Sequence, residues 1–188
     1  MINNNIIIEN LHISGIENAA AFDTDILAFS QDIRAMCEMN TCGRYNRSWN
    51  CPPVIGTLES LRDICLKFKH GILCSTVTKL EDSFDFEGMM RASATLCVKL
   101  GNANRIFADL SARHGTSEIQ NAYRIFGAGS CSACKKCSYP DAPCIHPDRF
   151  FIPIEACGIN VVELASNTGL AYNNGPNTVT FFGMVLYN

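Results

Sequence analysis

The sequence predicts an α/β (α+β) fold: a mixed central sheet flanked by helices, with an irregular cysteine-rich metal-binding lobe. Three observations carry this. The run Val179–Tyr187 is apolar on both faces, so a strand there needs cover on both sides. Apolar residues recur at helical spacing in several separate segments. Seven of the 11 cysteines fall in two Gly- and Pro-containing stretches without periodic pattern. A length of 188 residues with 47% hydrophobic content suits a single domain, 1–188, whose cysteine-rich segments span 37–53 and 127–153.

The elements follow in chain order. Ile6-Ile-Ile with Leu11 and Ile13 predicts a first strand. Asp23 and Thr24 are good caps for a helix whose Ile26, Phe29, Ile33, Met36 and Cys37 share one face. Residues 40–56 read as loop. A second helix starts from Thr57 and carries Leu58, Leu61, Cys65 and Phe68 on one stripe. Gly71 ends it, and Ile72–Val77 is a buried-strand run. Residues 83–113 form one long helix, or two broken near Gly101-Asn102. Ala122–Phe126 predicts a strand. After the cysteine lobe, Cys157, Val161, Leu164, Ala165 and Thr168 form a last helix stripe closed by Gly169. Thus the predicted order is β-α-α-β-α-β-lobe-α-β.

Charge and composition exclude some functions. The net charge is −3, so the basic excess of a general nucleic-acid binder is missing. No apolar run reaches the ~18 residues a spanning helix needs, and the first residues lack the pattern of an export signal. A cytoplasmic location is therefore expected. In that reducing compartment many cysteines point to metal rather than to disulfides. His12, His70 and His114 are isolated, and Gly127-Ala-Gly129 lacks a full dinucleotide fingerprint.

Cys131-x2-Cys134-x2-Cys137-x6-Cys144 is the most specific motif. Consecutive C-x2-C steps place three thiolates on one tight loop, as in the cysteine runs that hold iron–sulfur clusters. The spacing therefore favours a [4Fe–4S] cluster. Cys144 closes the same cluster or reaches a second one. Structural zinc is the alternative, although zinc sites usually combine two separated cysteine pairs. Lys135 and Lys136 lie inside the loop, where they partly neutralise an anionic centre or stand solvated.

Cys37, Cys42 and Cys51 form the second set. Cys42 and Cys51 lie in loop, where thiols have little packing role, whereas Cys37 also fits its helix stripe. Arg44, Tyr45, Arg47 and Trp49 stand between them as candidate substrate or supporting residues. From 34 to 51 there are three arginines against one glutamate, which suits an anionic metal–thiolate centre or a small anionic substrate. Three cysteines do not complete a cubane. Cys157 supplies the missing thiolate, or one iron stays open as a Lewis acid. Cys65, Cys74 and Cys97 read as core thiols. His146, Asp148, Arg149 and Glu155 stand near the second set as supporting polar groups.

Several stretches together resemble one family. They are Cys42-Gly-Arg-Tyr45, Trp49-Asn-Cys51-Pro-Pro, Gly127-Ala-Gly-Ser-Cys131-x2-Cys134-x2-Cys137, Pro143-Cys144, Glu155-Ala-Cys-Gly-Ile159 and Phe182-Gly-Met-Val-Leu-Tyr187. The chain resembles domain-of-unknown-function family 2284, described as predicted metal-binding proteins. The resemblance implies a cytoplasmic protein of anaerobic or facultative prokaryotes. It implies Cys37, Cys42, Cys51, Cys131, Cys134, Cys137 and Cys144 as metal-site residues. It supplies no reaction, so a redox module with a partner protein, an enzyme with an open iron, and a zinc or metal-handling protein all stay open.

Overall fold

A computed structural model describes residues 3–113 and 123–188. Ala122, the expected start of a strand, and His114 lie outside the described residues. The architecture is α+β. Five strands form one open sheet in the order β1-β2-β5-β3-β4. These are β1 (Asn18–Asp23), β2 (His70–Lys79), β3 (Tyr123–Gly127), β4 (Ile152–Pro153) and β5 (Thr178–Tyr187). All neighbours pair antiparallel except β3 with β4. The five α-helices of the described residues are α1 (Asn4–Ile13), α2 (Gln31–Glu38), α3 (Leu58–Cys65), α4 (Phe86–Arg113) and α5 (Val161–Thr168).

The apolar run at the C-terminus becomes the middle strand, β5. Its alternate side chains enter two cores, as the period-2 geometry of a strand requires. Met184 and Leu186 pack with α3, α5 and the turn Glu155–Cys157. Val185 and Tyr187 pack with α1 and α4 on the other face. β2 repeats the pattern, with Leu73 in one core and Ile72 and Cys74 in the other. Both faces are therefore covered, as the apolar sequence demanded.

Two expected elements change. The predicted strand over Ile6–Ile13 is helix α1. Asn3 caps it through Ile6 N, and the buried residues Ile7 and Leu11 are four apart, while Ile6 and Ile13 face solvent. Burial at helical spacing outweighs the strand preference of three adjacent isoleucines. The first strand is instead the alanine-rich β1, an edge strand. The predicted helix from Asp23 also differs. Thr24–Ile26 is one 3₁₀ turn, and α2 begins only after Ser30, whose hydroxyl accepts from Asp32 N. Phe29 is held extended by a bridge to Ile159 instead.

Elsewhere the expectations agree with the fold. Thr57 caps α3, and α4 is a single helix without a break at Gly101. The last stripe divides: Cys157 sits in the 3₁₀ turn Glu155–Cys157, and α5 starts at Val161 and ends at Gly169 with φ +76°. Gly158 joins the two pieces. At φ +75° a Cβ there would lie 2.8 Å from the Ser30 carbonyl oxygen, so only glycine lets this turn close on α2. Among the described residues, no helix is long and apolar enough to cross a membrane.

Candidate metal centre

The cysteine lobe leaves the sheet at Gly127 and returns as β4, pairing parallel to the strand it left. Its excursion therefore stands at one end of the sheet edge. Cys131, Cys134, Cys137 and Cys144 line a single concavity in this lobe. The opposite wall is Arg44, Ser48, Trp49 and Asn50, and Phe150 also lines it. The two cysteine segments, 80 or more residues apart in sequence, thus meet (Asn50 to Cys131 spans 81 residues).

Asn50 makes that junction. It is buried, and its Oδ1 accepts from Cys131 N at 3.2 Å, from Ser48 Oγ at 2.8 Å and from Cys51 Sγ at 3.4 Å. Its Nδ2 donates to the Phe151 carbonyl at 3.0 Å. A backbone donor on one side and a backbone acceptor on the other fix the orientation of the amide. Two further bonds tie the segments: Trp49 Nε1 donates to the Ala142 carbonyl at 3.0 Å, and Tyr139 Oη donates to Asn46 Oδ1 at 2.6 Å. Asn46 adopts φ +55°, which asparagine tolerates better than most residues, and its N–H donates to the Pro52 carbonyl. Trp49 and Tyr139 meet edge to face at 4.9 Å.

The electrostatics differ from thiol to thiol. Burial pushes Cys137 up, but donors outweigh it. The backbone N–H groups of Tyr139 and Trp49, the Ser48 hydroxyl and the Arg44 guanidinium together hold Cys137 below the ordinary thiol range. Burial raises Cys131, with the neighbouring Cys144, Cys134 and Cys137 adding to the rise and the Ala133 backbone opposing it. Burial also pushes Cys51 up to about 11, and Cys42 and Cys37 add to this, opposed by Ser48 and Arg44. Ser48 and Arg44 therefore act on a thiol of each set.

Burial raises Cys37, opposed by Arg34 and reinforced by Cys42, and Cys42 and Cys37 also add to the rise at Cys51, so the three thiols share one neighbourhood. Cys37 lies in the last turn of α2. Arg34, one turn earlier and buried, donates to the Ala156 and Gly56 carbonyls, and so fixes α2 over the turn Glu155–Cys157. That turn brings the Glu155 carboxylate within reach of Cys37's field. Glu155 keeps solvent contact, but protein crowds its other sides and the desolvation raises its carboxyl.

The remaining residues fall in different places. Tyr45 is half-buried, and its N–H donates to Asn40 Oδ1; Arg47 is exposed. Arg149 and Asp148 sit in the 3₁₀ turn Pro147–Arg149, where Asp148 pairs with Arg105 of α4 at 3.3 Å. Cys157 is fully buried in the core with Cys65, and that neighbour together with burial raises its thiol. Cys37, Cys42 and Cys51 are not among the groups acting on it. One residue near the lobe was read as core from sequence. Cys97, half-buried on α4, lines a small cleft with Cys131, Gly127 and Arg149. Burial and the charge of Cys131 push it up to about 11. The signal lay in α4: Ser93 and Cys97 interrupt an otherwise apolar face bearing Leu96 and Leu100.

The chain matches the family described as "Predicted metal-binding protein (DUF2284)" over residues 20–187. It belongs to that family. No curated protein and no solved structure matches the chain. The match covers both cysteine segments and the sheet that carries them. Among the described residues, no three His, Cys, Asp or Glu side chains converge tightly enough to hold one metal ion. The four lobe thiols ring a concavity instead.

Proposed function

We propose that this metal-binding protein is an iron–sulfur protein whose Cys131, Cys134, Cys137 and Cys144 hold a [4Fe–4S] cluster. The observation that carries it is the lining of one concavity by all four thiols of the x2, x2, x6 run. A [4Fe–4S] cluster held there supplies one-electron chemistry, or a Lewis-acid iron where a position stays open. The chain's own residues supply the surroundings. Arg44 and the N–H groups of Tyr139 and Trp49 favour thiolate at Cys137 and offset the negative charge of a thiolate-bound centre. Phe150 and Trp49 keep part of the wall apolar and limit water, which tunes potential.

The Cys37, Cys42 and Cys51 group is the second metal–thiolate site in this reading. Cys157 does not complete it in this reading, because that thiol is fully buried in the core with Cys65. That observation favours a non-cysteine fourth ligand or an open position there, next to Arg44, which suits a small anionic donor. The partner of the redox reading is another electron-transfer protein, and the compartment is the reducing cytoplasm, where exposed thiolates persist. Iron and acid-labile sulfide analysis after anaerobic purification tests the reading. About four irons and four sulfides per cluster are expected. Stoichiometric zinc without sulfide after anaerobic reconstitution sinks it in favour of a zinc site.

A further inference from the structure

Next to the thiol-lined concavity, and sharing Trp49, Cys144 and Phe150 with it, the surface holds a groove of about 340 Å³. Trp49, Phe150 and the stretch Pro140, Asp141, Ala142, Pro143 and Cys144 line it. We propose that this groove binds a flat, uncharged aromatic ring compound of the quinone or flavin-ring class. The proposal rests on the cluster reading for its purpose, since it would place a redox-active ring beside a cluster ligand.

Four features lead to that class. The volume lies in the range of small-molecule sites and suits two or three fused rings rather than a peptide. An indole, a phenyl and two pyrrolidine rings form the walls, and such surfaces favour contact with a flat face. The charged side chain on the groove is Asp141, with no lysine or arginine in the lining, so phosphate and carboxylate ligands are repelled. Trp49 is already fixed by its bond to the Ala142 carbonyl and its contact with Tyr139, so little order is lost when a ligand stacks on it. The same residues explain the proximity. Trp49, Cys144 and Phe150 line both the groove and the thiol-ringed concavity, so one layer of side chains separates the two. The concavity, with Arg44 and four thiols, suits an anionic metal–thiolate centre; the groove suits a neutral ring.

Titration of lumiflavin against the full chain, purified anaerobically with its iron and sulfide measured, tests this. Saturable quenching of lumiflavin fluorescence is expected, with duroquinone displacing it. The tighter of the two identifies the source class. Riboflavin 5′-phosphate, the same ring with a phosphate, should bind roughly tenfold more weakly. Ala142→Trp fills the groove and keeps the carbonyl that holds Trp49; it should weaken lumiflavin roughly tenfold with metal content unchanged. Should that variant not fold, Asp141→Lys serves: it should raise the affinity for the phosphate compound, relative to that for lumiflavin, roughly tenfold. Quenching that never saturates, wild-type titration by folded Ala142→Trp, or indifference to the phosphate and to Asp141→Lys overturns the proposal. Failure to bind by iron- and sulfide-loaded protein removes the groove alone. Lumiflavin binding by a chain that holds no sulfide keeps the groove and removes the cluster reading.

Discussion

The chain holds two populations of cysteine, and their neighbours separate them more clearly than their burial does. Cys65, Cys74 and Cys157 are fully buried in the two cores. Cys74 gives its S–H to the Gly183 carbonyl at 3.3 Å, and Cys65 and Cys157 share one apolar core. Those surroundings keep a thiol neutral. In the loop population, Cys51 is as buried as many core residues, and Cys137 is half-buried. Yet both have Ser48 and Arg44 beside them, and Cys137 also receives two backbone N–H groups. Hydrogen-bond donors and a cation stabilise sulfur as an anion, the form a metal takes; at Cys51 they only oppose the rise that burial causes, and at Cys137 they outweigh it. A cysteine thus becomes a ligand candidate through the donors aimed at it.

The sharpest way to break the comparison is to remove the residue that assembles the donor side. Asn50→Ala strips partners from Cys131 N, the Phe151 carbonyl, Ser48 and Cys51 at once. Buried groups left unpaired cost about 1–3 kcal/mol each, and relaxation recovers part of that, so a loss of about 3 kcal/mol is expected. The two cysteine segments should separate and metal content should fall with stability. Denaturant unfolding together with metal analysis checks this. Full metal content in a folded Asn50→Ala protein would show that the lobe binds metal without the other segment.

Asn50 also marks what the sequence conceals. The spacing of Cys131, Cys134, Cys137 and Cys144 can be read directly, because ligands on one loop are local. The helix at Thr57 is likewise legible, since its cap and its stripe Leu58, Leu61 and Cys65 agree. An asparagine before Cys51-Pro52 has no local signature, because its partners lie 81 and 101 residues away. Cys97 is hidden for the same reason, its neighbour Cys131 coming from beyond the helix. The error at α1 has a different cause. Ile6-Ile-Ile carries strand propensity, but only Ile7 of the three is buried, and burial against α4 selects the helix.

The next test lies in the core population. Cys157→Ala removes one sulfur from a fully buried site in the core that also holds Cys65. The lost burial and the residual cavity should cost about 2 kcal/mol. Iron and sulfide content should stay at the wild-type level once the protein is folded. Loss of iron in a folded Cys157→Ala protein would move this thiol into the ligand population and supply the second site with its fourth cysteine.

The last test sharpens the same division through pH. Cys74 is raised to about 12 by burial, from an ordinary thiol value of 9.0. A thiol is neutral when protonated, so a raised value means that the folded state holds its proton longer than the unfolded chain does. Below pH 9 both states are protonated and the stabilising difference is fully present. Above it the unfolded chain releases the proton and the folded protein does not, so stability falls until the folded thiol also ionises near pH 12. Within that window the loss is about 1.4 kcal/mol per pH unit for one thiol. Cys74→Ala, which costs core packing at every pH, should flatten the alkaline slope by about that amount between pH 9.5 and 11. Urea unfolding across that range, on wild type and variant side by side, reads the difference directly. Equal slopes would show that the Cys74 site admits enough water or rearrangement to ionise in the folded state, and the neutral environment that separates core from loop thiols would not hold at this position.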